Sequence, residues 1–162
     1  MSDEETFRRW IADHRGLVLR ITRAYAADAA DEDDLQQEIL LAVWRSLPGF
    51  RGDAKPSTWL FRVALNVALA RRRATGRRVD TTPLEHVDAP ATDGEAAAFH
   101  RLQWTRVLAA LREIPPADRA ILLLALEGAT QQDVADVLGI TPTNAGVKLH
   151  RARRRLLARL EA

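Results

Sequence analysis

The stretch from Gln131 to Leu160, QQDVADVLGITPTNAGVKLHRARRRLLARL, decides how the chain is read. Two helical patterns flank a turn at Gly139-Ile140. Thr130 is placed to cap the first pattern, and Val134, Ala135 and Leu138 form its inward face. Ala135 is small enough for two helices to cross closely. Gly139 accepts the left-handed angle at which helices commonly end. Thr141-Pro142 supplies a cap and then a proline at the first helical position, where its missing amide is harmless. On the second pattern Ala145, Leu149, Ala152, Leu156 and Leu160 share one face, the buried stripe. Asn144, Lys148, Arg151 and Arg155 fall opposite. From Pro142 to Ala162 six bases (Lys148, Arg151, Arg153, Arg154, Arg155 and Arg159) stand against one acid, Glu161. Cap, turn glycine, apolar stripe and basic face agree on a helix-turn-helix whose second helix enters the major groove of DNA. Thr143, Asn144, Val147 and Lys148 lie near its N-terminal end, which reaches base edges, and the later arginines suit phosphates.

Working outward, a chain of 162 residues has room for one domain or two small ones. An apolar fraction of 47% with one Tyr and four Phe implies Leu- and Ala-rich helices and excludes a disordered chain. The absence of cysteine excludes disulfides, cysteine-held zinc and cysteine nucleophiles, and fits a cytoplasmic protein. The N-terminus, MSDEETFRRW, lacks the basic-then-apolar signal pattern. The most apolar run, Ile121 to Leu126, is far shorter than the ~20 residues of a membrane span. Four scattered histidines, no nucleophile motif, and an Asp31–Asp34 run without the glycine and distal glutamate of a calcium loop argue against an enzyme. No metal, cofactor or small-molecule substrate is expected.

The charge is segmented. Residues 1–73 carry twelve bases and eleven acids, 74–100 two bases and five acids, and 101–162 ten bases and six acids. Residues 4–26 read as one helix with Phe7, Ile11, Leu17, Ile21 and Tyr25 inward. Asp28 to Asp34 is an acidic turn or helix start, and Leu35 to Leu47 a strong helix ended by Pro48-Gly49. Phe50 to Ser57 is a loop. A third helix runs from about Thr58 to Arg73, with Ser57 or Thr58 available to cap it. Residues 74–98 keep no apolar period and read as a flexible acidic linker. Further helices cover Glu95 to Glu113 and Ala117 to Glu127, separated by Pro115-Pro116. No strand-like alternation is present. The expected fold is all-α: a helical domain over 1–73, the linker over 74–98, and a helix-turn-helix domain over 99–162.

The segment DLQQEILLAVWRSL carries two stripes. Leu35, Ile39, Ala42, Val43 and Ser46 face inward. Asp34, Gln37, Glu38, Leu41 and Arg45 form a second face that mixes charge, amide and one apolar residue. That mixture suits a protein-binding surface, and an ordinary amphipathic helix shows it as well.

Two motifs together carry a family resemblance. Asp31-Glu32-Asp33-Asp34-Leu35-Gln36-Gln37-Glu38 resembles the acidic DxEDLxQE signature of region 2 of bacterial sigma factors. Thr58-Trp59-Leu60-Phe61-Arg62-Val63-Ala64-Leu65-Asn66 resembles the TWLxRIAxN stretch that follows it. Leu111 to Arg153 resembles region 4, from its LxxIPxxxRxxxxL start to its terminal RAR. The chain thus resembles the minimal group, the extracytoplasmic-function sigma factors. The resemblance implies docking of region 2 on the clamp helices of the largest subunit of core RNA polymerase through Asp34, Gln37, Glu38, Leu41 and Arg45. It implies contact of region 4 with the flap of the second-largest subunit. It implies recognition and opening of the −10 element of promoter DNA by Phe50, Lys55, Ser57, Thr58, Trp59, Arg62 and Asn66, with Arg71, Arg72 and Arg73 near the backbone. An opened strand offers base faces for stacking and phosphates for cations. Trp59 is equally suited to the core, and the three arginines to a helix end favoured by the dipole.

For the −35 element the matching positions are Thr143, Asn144, Gly146, Val147, Lys148, His150, Arg151, Arg154 and Arg155. Gly146 stands where the family commonly has a base-reading arginine. An anti-sigma factor that covers both domains is a partner the resemblance also implies. The competing reading is a stand-alone helix-turn-helix regulator. It explains residues 130–159 but neither of the first-domain motifs, and such regulators usually dimerise on paired half-sites.

Overall fold

The structure is a computed structural model, and it describes residues 1–76 and 95–162, with side chains of the second stretch described from residue 98. The expected linker falls largely on residues 77–94, outside the described residues. Among those residues the regular structure is helical: α1 (Asp3–Asp13), α2 (Arg15–Tyr25), α3 (Ala29–Ser46), a 3-10 turn (Leu47–Gly49), α4 (Pro56–Thr75), α5 (Glu95–Arg112), α6 (Pro116–Leu126), α7 (Gln131–Leu138) and α8 (Pro142–Glu161).

The single helix expected over residues 4–26 is two helices. His14 leaves helical geometry at φ −117° and ψ 22°. Ile11 and Leu17 are six residues apart, out of step with one 3.6-residue stripe, and the break brings both segments' apolar faces inward. Ser2 and Glu5 form a reciprocal capping box on α1. Asp28 caps α3 by accepting from the Asp31 amide at 2.8 Å, so the acidic run is a helix start. At α4 the expected hydroxyl cap is absent. Lys55 is the cap residue without a side-chain bond, and Pro56 at the first position presets the helix. Ser57 and Thr58 lie inside the helix. On α3 Leu35, Ile39 and Val43 are buried as expected and Ala42 is half-buried, but Ser46 is exposed in the last turn.

α2, α3 and α4 pack together as the first helical unit, with α1 laid against α2. α6, α7 and α8 form the second, with α5 against α8. The buried apolar residues of both units join in one cluster from Trp10 to Ala152. The joint is made at the C-terminal end of α2, whose last carbonyls have no partner within the helix. Two arginines from the second unit take them. Arg112 donates to the carbonyls of Arg23 (3.0 and 3.2 Å) and Ala26 (2.8 Å). Arg119, 0% exposed, donates to Ala24 at 2.7 Å and to Leu111, Arg112 and Ile114 in its own unit at 2.8 to 3.0 Å. Burial depresses both guanidinium pKa values, that of Arg119 to about 10; Glu32 opposes it at Arg112 and Tyr25 opposes it at Arg119. An Arg20–Glu127 ion pair closes the edge of the joint.

Tyr25, the chain's single tyrosine, spans the same joint. Its hydroxyl donates to the Pro116 carbonyl at 2.8 Å, and Arg119 lies 4.9 Å over its ring. Burial raises the phenol above its ordinary 10, although the charges of Arg119 and Arg72 pull the other way. An acid with a raised folded pKa contributes stability that is complete below the unfolded value and fades as pH climbs past it. Alkaline spectrophotometric titration should therefore show no phenolate in the native protein at pH 10. Half-ionisation there would mean that the joint is open in solution.

Candidate functional site

Three surfaces gather the residues singled out from the sequence. On the first, α3 shows Asp34, Gln37, Glu38, Leu41 and Arg45 to solvent, with Leu41 51% exposed. Their burial pattern follows from Leu35, Ile39 and Val43 taking the core side. Trp44, 41% exposed and edge-on to Phe7 at 5.4 Å, extends the apolar part of this face. Arg71 of α4 reaches onto it. Its guanidinium binds Asp31 at 2.7 to 2.8 Å, pairs with Glu38, and stands 3.7 Å from Asp34. Burial works against the Arg71 charge, but the bond to Asp31 and the charges of Asp31, Glu38 and Asp34 outweigh it and raise the pKa. Of the residues assigned to the −10 element, Arg71 is thus placed with the acids of α3.

The second surface runs along α4 and the loop before it. Phe50 and Trp59 are half-buried and stack edge-on with each other (5.5 Å) and with buried Trp10 (4.9 and 5.9 Å). This aromatic cluster fixes the loop between α3 and α4 and leaves only the rings' outer faces to a partner. Thr58 is 7% exposed and belongs to the core, so it offers nothing to DNA. Lys55, Asn66 and Arg73 are exposed, and Ser57, Arg62 and Arg72 are half-buried. Arg62 Nε and Arg72 Nη1 are buried donors without an acceptor among the described residues.

The third surface is the helix-turn-helix. The expected caps are present. Thr130 and Asp133 form a capping box on α7, Gly139 ends it at φ 67°, and the Thr141 hydroxyl accepts from the Asn144 amide at 3.2 Å. The Thr130 backbone amide is the main reason that Asp133 sits below the ordinary carboxylate range. Burial opposes it, and the Thr130 hydroxyl and the charge of Lys55 add to it. On α8 Ala145 and Ala152 are buried, with Leu149, Leu156 and Leu160 partly so. Thr143, Asn144, Val147, His150, Arg151 and Arg154 are exposed, whereas Gly146 and Lys148 are half-buried. Arg155 points the other way, into an ion pair with Asp118 of α6, and Arg159 pairs with Glu113 at 3.3 Å.

Sequence reasoning missed Trp10 and Arg112, which carried no signal, and met Arg119 only as the arginine of the LxxIPxxxRxxxxL start. Arg119 also sits in phase with Leu122 and Leu123 on a helix whose one other charge is Asp118, where a buried cation must find partners.

A helix-turn-helix with a cationic outer face, joined to a second helical unit bearing an acidic stripe, defines a DNA-binding protein with a further interaction surface. Family models described as Sigma-70 region 2 and Sigma-70 region 4 match residues 10–78 and 104–156. The ECF RNA polymerase sigma factor SigM of Mycobacterium tuberculosis is 33% identical over 94% of this chain and 74% of its own length. RNA polymerase sigma factor CnrH of Cupriavidus metallidurans is 27% identical over 99% of this chain and 89% of its own. Among solved structures, CnrH in complex with the cytosolic domain of CnrY matches with a TM-score of 0.68 at 24% identity, over 98% of this chain and 89% of that one. The sigma factor RpoE of Bartonella quintana, solved with the anti-sigma factor NepR, matches with a TM-score of 0.75 at 21% identity, over 98% of both chains. The chain belongs to the extracytoplasmic-function RNA polymerase sigma factors. It is a promoter-directing transcription initiation factor of all-α, two-domain build, and no helix among its described residues is long and apolar enough to cross a membrane.

Proposed function

We propose that α3 is the docking surface for core RNA polymerase, with Asp34, Gln37, Glu38 and Leu41 against the clamp helices of the largest subunit and Arg45 at the edge. The observation that carries this is the coincidence of the family's acidic motif with a helix face that is exposed and held in charge balance by Arg71. An apolar centre at Leu41 flanked by acids gives affinity and register. α4 and the loop before it, through Lys55, Trp59, Arg62, Asn66 and Arg73, handle the −10 element. The exposed face of α8 from Thr143 to Arg154 takes the −35 element, and the second unit also meets the flap. The division at 1–73, 74–98 and 99–162 follows from these roles. The protein works in the cytoplasm, without an enzymatic step of its own. An anti-sigma factor is a further partner, supported by the two solved relatives, CnrH bound to the cytosolic domain of CnrY and RpoE bound to NepR.

The test is binding to purified core polymerase beside the Asp34→Ala/Glu38→Ala double variant. Both side chains are exposed, and Arg71 keeps Asp31, so the fold should survive and circular dichroism stay helical. Affinity should fall roughly thirtyfold or more, as expected when charges desolvated in an interface lose a partner. Unchanged affinity would remove α3 from the interface. Absence of binding by the wild type, with duplex binding intact, would favour the stand-alone regulator.

A further inference from the structure

Glycine is a poor residue for a helix interior, yet Gly146 sits in the second turn of α8, on the side proposed above to take the −35 element. The neighbour that explains it is on the other helix of the motif. A Cβ at position 146 would lie 2.8 Å from Gln131 Nε2, 3.2 Å from its Cδ and 3.4 Å from its Oε1. The missing side chain is therefore a seat for the Gln131 amide, which belongs to the first residue of α7. Among the described residues no hydrogen bond ties that amide down. Around it lies an open concavity of about 470 Å³ lined by Gln131, Thr143, Gly146, Val147, His150 and Arg151. Its rim offers an amide, a hydroxyl, an imidazole and a guanidinium, and no carboxylate.

We infer that Gln131 reads a base in the upstream promoter element, lent to the recognition helix by the first helix of the motif through the seat at Gly146. This rests on the reading of α8 as the duplex-binding helix. A glutamine amide presents an acceptor and donors side by side, the match for adenine N7 and N6 in the major groove. Gln131 is exposed, so the pair is open to a base edge, and the seat at Gly146 lets the amide lie close against α8. Gly146, the departure from the family pattern, then changes which residue reads the base and leaves duplex binding in place.

The experiment is selection from a promoter library randomised across the upstream element, using holoenzyme assembled from core polymerase and the full chain. The wild type should prefer adenine at one position. Gln131→Ala should lower that preference about tenfold, within the discrimination of one bidentate pair, and leave the other positions alone. Gly146→Ala should have the same effect with Gln131 intact, because the new Cβ displaces the amide, while the helix itself gains. Gln131→Glu should move the preference from adenine to cytosine, whose exocyclic amine donates to a carboxylate. Uniform weakening on all sequences by Gln131→Ala would place the side chain on a phosphate and overturn the inference. Unchanged selection would overturn it too. Failure of the wild type to capture any library DNA with polymerase would instead overturn the promoter reading on which it stands.

Discussion

Arg119→Ala is expected to destabilise the protein by about 4 kcal/mol, lowering the melting temperature by roughly 10 °C. The guanidinium is fully buried and donates to four backbone carbonyls. Three of them, from Leu111, Arg112 and Ile114, are at the end of α5 and the turn after it, where helical partners have run out. Alanine leaves the carbonyls of Ala24, Arg112 and Ile114 unmet inside the protein, while Leu111 keeps the Ile114 amide at 3.2 Å, and each orphan costs about 1–3 kcal/mol before any relaxation. Lysine at this position keeps the charge but lacks the planar fork, so Arg119→Lys should recover less than half of the loss. Thermal melts of the three proteins decide the matter. A shift of only a degree or two for Arg119→Ala would mean that water or local rearrangement satisfies these carbonyls, and that the buried cation is dispensable.

The second large effect is on the joint between the two units. Arg112→Ala removes three hydrogen bonds from a cation to the last turn of α2, and Glu127→Ala removes the ion pair at the rim. Arg112 lies in its own unit at the end of α5, so neither unit's internal core depends on it. Together the two changes should shift the docking equilibrium toward separation by roughly 3 kcal/mol, more than a hundredfold. Small-angle scattering reads this directly. The wild type should show the radius of gyration of a compact chain of this length, about 15 Å, and the double variant a clearly larger one. Hydrogen exchange should accelerate at Arg23 to Ala26 in the variant. Identical scattering and exchange would show that the apolar part of the joint suffices without its polar clasp.

These effects mark where sequence reading succeeds and where it stops. The helix-turn-helix was legible because its determinants are local: Thr130 and Asp133 cap one helix, Gly139 ends it, and Thr141-Pro142 begins the next. The stripe on α3 was legible for the same reason, since period alone separates Leu35, Ile39 and Val43 from Asp34, Glu38 and Leu41. Arg71 was read with its neighbours Arg72 and Arg73 either as a holder of the −10 backbone or as a cationic helix end. Its partners, Asp31, Asp34 and Glu38, lie more than thirty residues away, and only the packing of α3 on α4 brings them together. Phe50 and Trp59 were assigned to the −10 element, with the core as the other fate of Trp59, and Trp10 arrives from α1 to pack against both. Arg155 was assigned to DNA by its helical phase, and Asp118 claims it from α6. In each case the missing information was which distant element would be near, something no local period encodes.

The clasp at the end of α2 also sets a threshold for any ligand that needs the two units apart. A compact chain of this length has a radius of gyration of about 15 Å and so spans roughly 40 Å. Promoter elements centred near −35 and −10 are about 25 base pairs apart, roughly 85 Å along the duplex at 3.4 Å per step. One docked chain cannot lie on both. A polymerase or promoter that requires the parted form therefore binds with an affinity scaled down by the fraction of molecules already parted, while a protein that recognises the docked pair meets no such penalty. Arg112 and Arg119 are buried away from the stripe on α3, yet their bonds to three carbonyls would set how many molecules such a ligand meets already parted.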